Sequence, residues 1–187
     1  MADYRKLKPF ILRWEGGYIN DQADLGKQTN KGVTLSTYRS VFGKNKTVSD
    51  LKKITDEQWE FIFKKYYWNR WKADDIKSQK VANILVDWVW GSGSHGIKIP
   101  QTLLGVVADG IVGSKTIAAV NNANPDKLFD SIYKARETFL RNLADKSVAA
   151  YEKKIGRKAT EKELLKYTQK RFLKGWLNRL ADIKNIK

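Results

Sequence analysis

The chain has 187 residues, 42% of them hydrophobic and including 7 Trp, 8 Tyr and 7 Phe, enough to bury a core in one compact domain or two closely packed lobes. With no Cys and a single His (His95), disulfides and thiolate metal sites are excluded, a His-rich zinc site and a dedicated His general base are disfavoured, and neither metal nor cofactor is expected. Basic residues outnumber acidic ones 36 to 20, a charge of +16 that favours a polyanionic partner, whether nucleic acid, anionic membrane or cell-wall polymer, and says nothing about fold.

Leu7, Phe10, Ile11 and Trp14 follow the spacing of a helix with one buried stripe. Pro9 falls inside it, so the regular helix is expected to start near Lys8 or to kink there. Gly16-Gly17 ends it and leaves Glu15 in the last turn, at the negative end of the helix dipole, where Lys or Arg would be the stabilising choice. Residues 19–34 lack helical periodicity and read as a loop or short β-ribbon. Thr34 is placed to cap a short helix through Phe42, closed by Gly43. Thr55 and Gln58 form a capping box for a helix with Trp59, Ile62, Phe63 and Tyr66 on one face. Tyr67, Trp68 and Trp71 then add more aromatic bulk than one stripe requires.

Val81, Ile84, Leu85 and Trp88 mark a helix that is apolar on most sides and therefore central. It runs into Gly91-Ser92-Gly93-Ser94, the most linker-like stretch of the chain. A short helix is expected over Ile97 to Leu104, a turn at Asp109-Gly110, and a helix capped by Ser114. Asn124-Pro125 opens a long helix burying Leu128, Ile132, Ala135, Phe139 and Leu143. A second capping box, Thr160 to Glu163, opens a basic helix with Leu164, Leu165, Phe172 and Trp176. Residues 141–187 hold 14 Lys/Arg against 5 Asp/Glu, or +9, about half of the total excess. No stretch approaches the roughly 20 apolar residues of a membrane span. Phe10-Ile11-Leu12 is too short for a signal-peptide core. The pattern is mainly α, with at most a small β-ribbon near residues 19–34.

Glu15 and Asp24 suggest a carboxylate pair across a cleft, as glycoside hydrolysis needs: one acid protonates the leaving oxygen and the other handles water or the oxocarbenium charge. The aromatic surplus suits sugars, whose C–H faces pack on rings. The plainer reading is a surface Glu and a turn Asp. Ser92, Ser94 and His95 lack the strand–elbow–helix setting of a nucleophilic serine. Asp74-Asp75 reads as a helix-end turn, and Asp87 as a capping or core-polar residue.

The wording of the stretch adds to this. Glu15-Gly16-Gly17-Tyr18, then Asn20-Asp21, Asp24-Leu25-Gly26 and Thr29-Asn30-Lys31-Gly32-Val33-Thr34, closely resembles the N-terminal signature of glycoside hydrolase family 108. Those are lysozyme-like N-acetylmuramidases, some of them named secretion activators. Gln101 to Gly105, Asp109-Gly110-Ile111-Val112-Gly113 with Thr116, and Gly175-Trp176-Leu177-Asn178-Arg179 resemble the predicted peptidoglycan-binding region that accompanies them. Lys27 departs from the family, which commonly has a second glycine there.

The resemblance implies a lysozyme-like helical fold with a catalytic lobe over 1–93 and a helical peptidoglycan-binding lobe over 94–187, packed as one unit. It implies a peptidoglycan hydrolase that cleaves the β-1,4 bond between N-acetylmuramic acid and N-acetylglucosamine with Glu15 as general acid; Asp24, with Asp21 as its competitor, Thr29 and Thr34 are expected to assist. Tyr18, Asp21, Asn30, Trp88, Trp90 and Asp109 are assigned to substrate binding, and Trp14 and Tyr18 are expected to wall the acid. The implied partners are peptidoglycan glycan strands and anionic cell-wall polymers, with no nucleic acid, since no RNP, zinc-finger or basic-zipper pattern occurs. Action in the bacterial envelope follows, reached without a recognisable signal peptide or from a phage-encoded source. A lytic transglycosylase on the same bond and a non-catalytic wall-binding protein are the alternatives.

Overall fold

The computed structural model describes residues 1–16 and 28–186. It is a mainly α, lysozyme-like helical fold, and its only strands among the described residues form one two-stranded ribbon. Helix α1 (Tyr4–Glu15) begins before Pro9, not at Lys8. The Asp3 carboxylate accepts from Arg5 N and fixes that earlier start, while Pro9 forfeits only the bond to the Arg5 carbonyl. Leu7, Phe10 and Ile11 are buried, as the stripe requires.

Strands β1 (Thr29–Asn30) and β2 (Val33–Thr34) pair antiparallel, Thr29 opposite Thr34 and Asn30 opposite Val33. The connecting Lys31 and Gly32 both have positive φ, 48° and 75°, as a type I′ hairpin turn demands. Thr34 caps α2 (Leu35–Phe42) by accepting from Thr37 N, and Gly43 closes it, both as expected. The sequence reading has no counterpart to α3 (Val48–Lys52), which is too short to show periodicity and is held by a capping box of Thr47 and Asp50.

Helix α4 (Asp56–Phe63) opens on the expected box of Thr55 and Gln58 and buries Trp59, Ile62 and Phe63. A π turn over Lys64–Trp68 and a 3₁₀ turn over Asn69–Trp71 follow. The wider turn rotates the chain so that Trp68 and Trp71 also reach the core, which accounts for the aromatic surplus there. Helix α5 (Gln79–Ser92) is central: every residue from Val81 to Val89 is buried, Asn83 and Asp87 included. What resembled a linker is a tight corner. Gly93 turns at φ +56°, and α6 (His95–Leu103) starts at once. Gly96 packs so closely that a Cβ would lie 2.5 Å from Val89 N.

Gly113, not Ser114, is the cap residue of α7 (Ser114–Asn122), and Ser114 takes the first helical position. Asn124 caps α8 (Pro125–Ile155) as expected. Its buried stripe departs from the expected one after Ile132. Arg136, Leu140 and Ala144 continue it, while Leu143 is exposed. The expected basic helix is two, α9 (Glu161–Tyr167) and α10 (Lys170–Asp182). They divide at Thr168, whose buried hydroxyl donates to the Leu164 carbonyl and accepts from Lys170 N. Leu165 and Phe172 are exposed rather than packed. Helix α5 packs on α6 and α8, and α10 packs on α8, so one hydrophobic cluster runs from Ala2 to Ile183. Among the described residues, no helix is long and apolar enough to cross a membrane.

Candidate active site

Glu15 is the last residue of α1, and Gly16 turns the chain away at φ +62°. Its side chain is 20% exposed, enough for a solvent-borne group to reach it. Two donors from distant parts of the chain meet on Oε1. Trp90 Nε1 donates at 2.6 Å, and Arg179 Nη1 at 2.5 Å. Trp90 is set at the end of α5 by ring contacts to Trp59, Phe63 and Tyr67, the last at 4.4 Å between centroids. Burial, and then the negative charge of Glu15, push the Tyr67 phenol up from its ordinary value, so Tyr67 belongs to the same surroundings.

The ribbon turn closes the other side. A Cβ at Gly32 would fall 2.5 Å from Trp90 Cζ2 and 2.7 Å from Glu15 Oε2, so only glycine fits between them. Trp59 Nε1 donates to the Lys31 carbonyl at 2.9 Å and holds the turn against α4.

Behind Glu15 lies a buried charge cluster. Arg179 places Nε and Nη2 at 3.2 and 2.7 Å from Asp87 Oδ1. Arg136 Nη1 lies 2.7 Å from Asp87 Oδ2. Burial pushes the Asp87 carboxyl up, but the guanidiniums of Arg136 and Arg179 outweigh it and hold the group below the ordinary carboxylate range. For Arg179 burial works against the charge, and Asp87 and Glu15 more than offset it.

Trp14 does not wall Glu15. Its indole N–H donates to Asp182 Oδ2 at 2.8 Å, and Arg13 pairs with the same carboxylate, tying α1 to α10. Among the described residues, the aromatic side chains beside Glu15 are Trp90 and Tyr67. From Trp90 an open groove of about 600 Å³ runs past Tyr66, Tyr67, Arg70 and Thr37. Such a trough has rings for sugar faces and polar groups for hydroxyls.

The other sequence-assigned residues fall unevenly. Tyr18, Asp21 and Asp24 lie outside the described residues, as does Lys27. Thr29 and Thr34 face each other across the ribbon, and Thr34 Oγ1 is engaged by Thr37. Asn30 is buried and donates to the Leu51 and Lys52 carbonyls, so it fastens the ribbon to α3 and presents no amide to a ligand. Trp88 is wholly buried beside Phe139 and has no face for a sugar, because it belongs to the inward stripe of α5. Asp109 shapes its own turn, accepting from Ile111 N and Gln101 Nε2, and lines a separate cavity with Val107 and Ile111. Among the assigned residues, the structure joins Trp90 to Glu15.

Arg179, Arg136 and Tyr67 were absent from the sequence-assigned site. Arg179 stands within the Gly-Trp-Leu-Asn-Arg motif, whose resemblance points to the wall-binding region. An arginine on the apolar stripe of α8 was the available signal for Arg136.

Residues 8–93 match the family model Glycosyl hydrolase 108, and residues 95–181 match the Predicted Peptidoglycan domain. The fold is similar to that reported as the structure of Brucella abortus SagA, at 26% identity and a TM-score of 0.75, covering 97% of this chain and 91% of that one. No curated protein matches the chain. A glycoside hydrolase region followed by a peptidoglycan-binding region makes peptidoglycan its partner and the cell wall its place of action. Residues 8–93 are therefore a glycoside hydrolase family 108 region, and residues 95–181 a predicted peptidoglycan-binding region that follows it.

Proposed function

We propose that this protein is an N-acetylmuramidase that hydrolyses the β-1,4 bond between N-acetylmuramic acid and N-acetylglucosamine, with Glu15 as general acid. The observation that carries this reading is the convergence of Trp90 Nε1 and Arg179 Nη1 on one oxygen of Glu15, with Trp90 also lining an aromatic groove. Proton transfer to the glycosidic oxygen leaves a carboxylate, and two preset N–H donors stabilise that developing charge. Among the described residues both hydrogen bonds fall on Oε1, and Oε2 lies against Gly32. Asp24 is the proposed partner for water or for the oxocarbenium charge, with Thr29 assisting; Thr34 contributes by fixing the ribbon and α2. Residues 1–93 act as the catalytic lobe and 94–187 as the wall-binding lobe.

Glu15→Gln keeps the shape of the site and deletes the transferable proton. Wall lysis is expected to fall about a hundred- to ten-thousand-fold, with wall binding and helical content retained. Undiminished lysis by the purified variant would remove Glu15 from the mechanism. Mass spectrometry of products from the parent enzyme is expected to show reducing N-acetylmuramic acid ends. Dominant 1,6-anhydro ends, lighter by a water, would instead mean that the muramic 6-hydroxyl attacks and the enzyme is a transglycosylase.

A further inference from the structure

Glu15, Arg179, Asp87 and Arg136 form a chain of alternating charge running from the cleft into the core. Their side chains are 20%, 14%, 0% and 5% exposed, so the chain is solvent-accessible at the Glu15 end and sealed at the other. Buried ion pairs of this kind add little stability over well-packed apolar residues, because desolvation offsets their attraction. Stability alone therefore does not account for three buried charges behind one accessible carboxylate.

The geometry gives another reason. A guanidinium is planar, and two contacts to one partner fix both its plane and the direction of its remaining N–H groups. Arg179 spends Nε and Nη2 on Asp87 Oδ1, which leaves Nη1 aimed at Glu15 Oε1. Arg136 Nη1 forms an ion pair with the other Asp87 oxygen at 2.7 Å, and its Nη2 donates to the Asp87 carbonyl at 3.5 Å. Arg136 and Arg179 both belong to the peptidoglycan region, whereas Glu15 and Asp87 belong to the hydrolase region.

We propose that Arg179 is a positioning residue for Glu15, held by Asp87 and Arg136, so that the second region completes the active site as well as contacting the wall. This rests on the reading of Glu15 as the acid. Arg179 fixes the carboxylate through Oε1 and stabilises the charge left by proton transfer.

The test uses the full chain with Arg179→Met, Arg179→Lys and Glu15→Gln, assayed on a soluble glycan fragment and on whole walls. Arg179→Met is expected to lower kcat about a hundredfold, as removal of one preset donor does elsewhere. KM and wall retention should change less than about threefold. Added guanidinium ion, kept well below denaturing concentration, should restore part of kcat to Arg179→Met and none to Glu15→Gln. Arg179→Lys keeps the cation but loses the fork, so its kcat should fall between the two while its melting temperature stays near the parent's. If Arg179→Met does not fold, Arg179→Lys decides alone. Parental or increased kcat in either folded Arg179 variant, with Glu15→Gln inactive, overturns the positioning role and spares the acid. Full activity in Glu15→Gln overturns the underlying reading instead.

Discussion

Gly32 shows how little room surrounds the Glu15 carboxylate. Its φ of +75° already penalises any other residue, and a methyl there would enter the space held by Glu15 and Trp90. Gly32→Ala is therefore expected to cost about 1–2 kcal/mol in backbone strain. It should also reduce lysis more than tenfold by displacing the carboxylate; urea unfolding and a turbidity assay on walls measure the two effects. Lysis equal to the parent's would mean that the turn relaxes away from the site. The glutamate at a helix end followed by glycines was legible from residue order alone, since both its placement and the turn are local. Its partners were not. Trp90 and Arg179 come from 75 and 164 residues further along, and no local spacing records such a meeting.

Between elements, the Asp87 contacts bolt α5 to α8 and α10. The native carboxyl lies below its unfolded value of about 3.9, so its contribution is fully present above that value and is lost as pH falls through the native one. Asp87→Asn leaves two guanidiniums without their shared counter-charge and is expected to cost about 3–5 kcal/mol at pH 7. The difference from the parent should narrow on acidification, and denaturant titrations at pH 7 and pH 3 check both the size and the sign. Most helices were readable, because capping boxes and apolar stripes are written within a few residues, as at Thr55 with Gln58 and Thr160 with Glu163. The reading slipped where tertiary contacts override local pattern. The stripe of α8 admits Arg136 only because Asp87 meets it, and Thr168 ends α9 through bonds that no periodicity shows.

At the scale of the whole molecule, the excess of positive charge is skewed toward residues 141–187. Lys154 and Lys162 are exposed there, whereas Lys158 already pairs with Glu152. Reversing Lys154 and Lys162 to Glu is expected to weaken retention on walls several-fold at low ionic strength, with the gap closing as salt screens it. Cleavage of a short soluble glycan should be unchanged. A matching loss on the short substrate would place this face inside the groove. The mainly α architecture followed from composition and periodicity, and the aromatic excess resolved into a core that takes in Trp59, Trp68, Trp71 and Trp88.

The span from Glu15 to Arg179 also sets a clock. A chain leaving the ribosome presents its hydrolase half long before α10, so the carboxylate lacks its guanidinium until α10 has emerged. On the proposal that Arg179 positions Glu15, a nascent chain, or one clipped before α10, has a kcat about a hundredfold lower even though most of its core residues are in hand. Wired in this way, the hydrolase region gains its positioned acid only once α10 has folded against it.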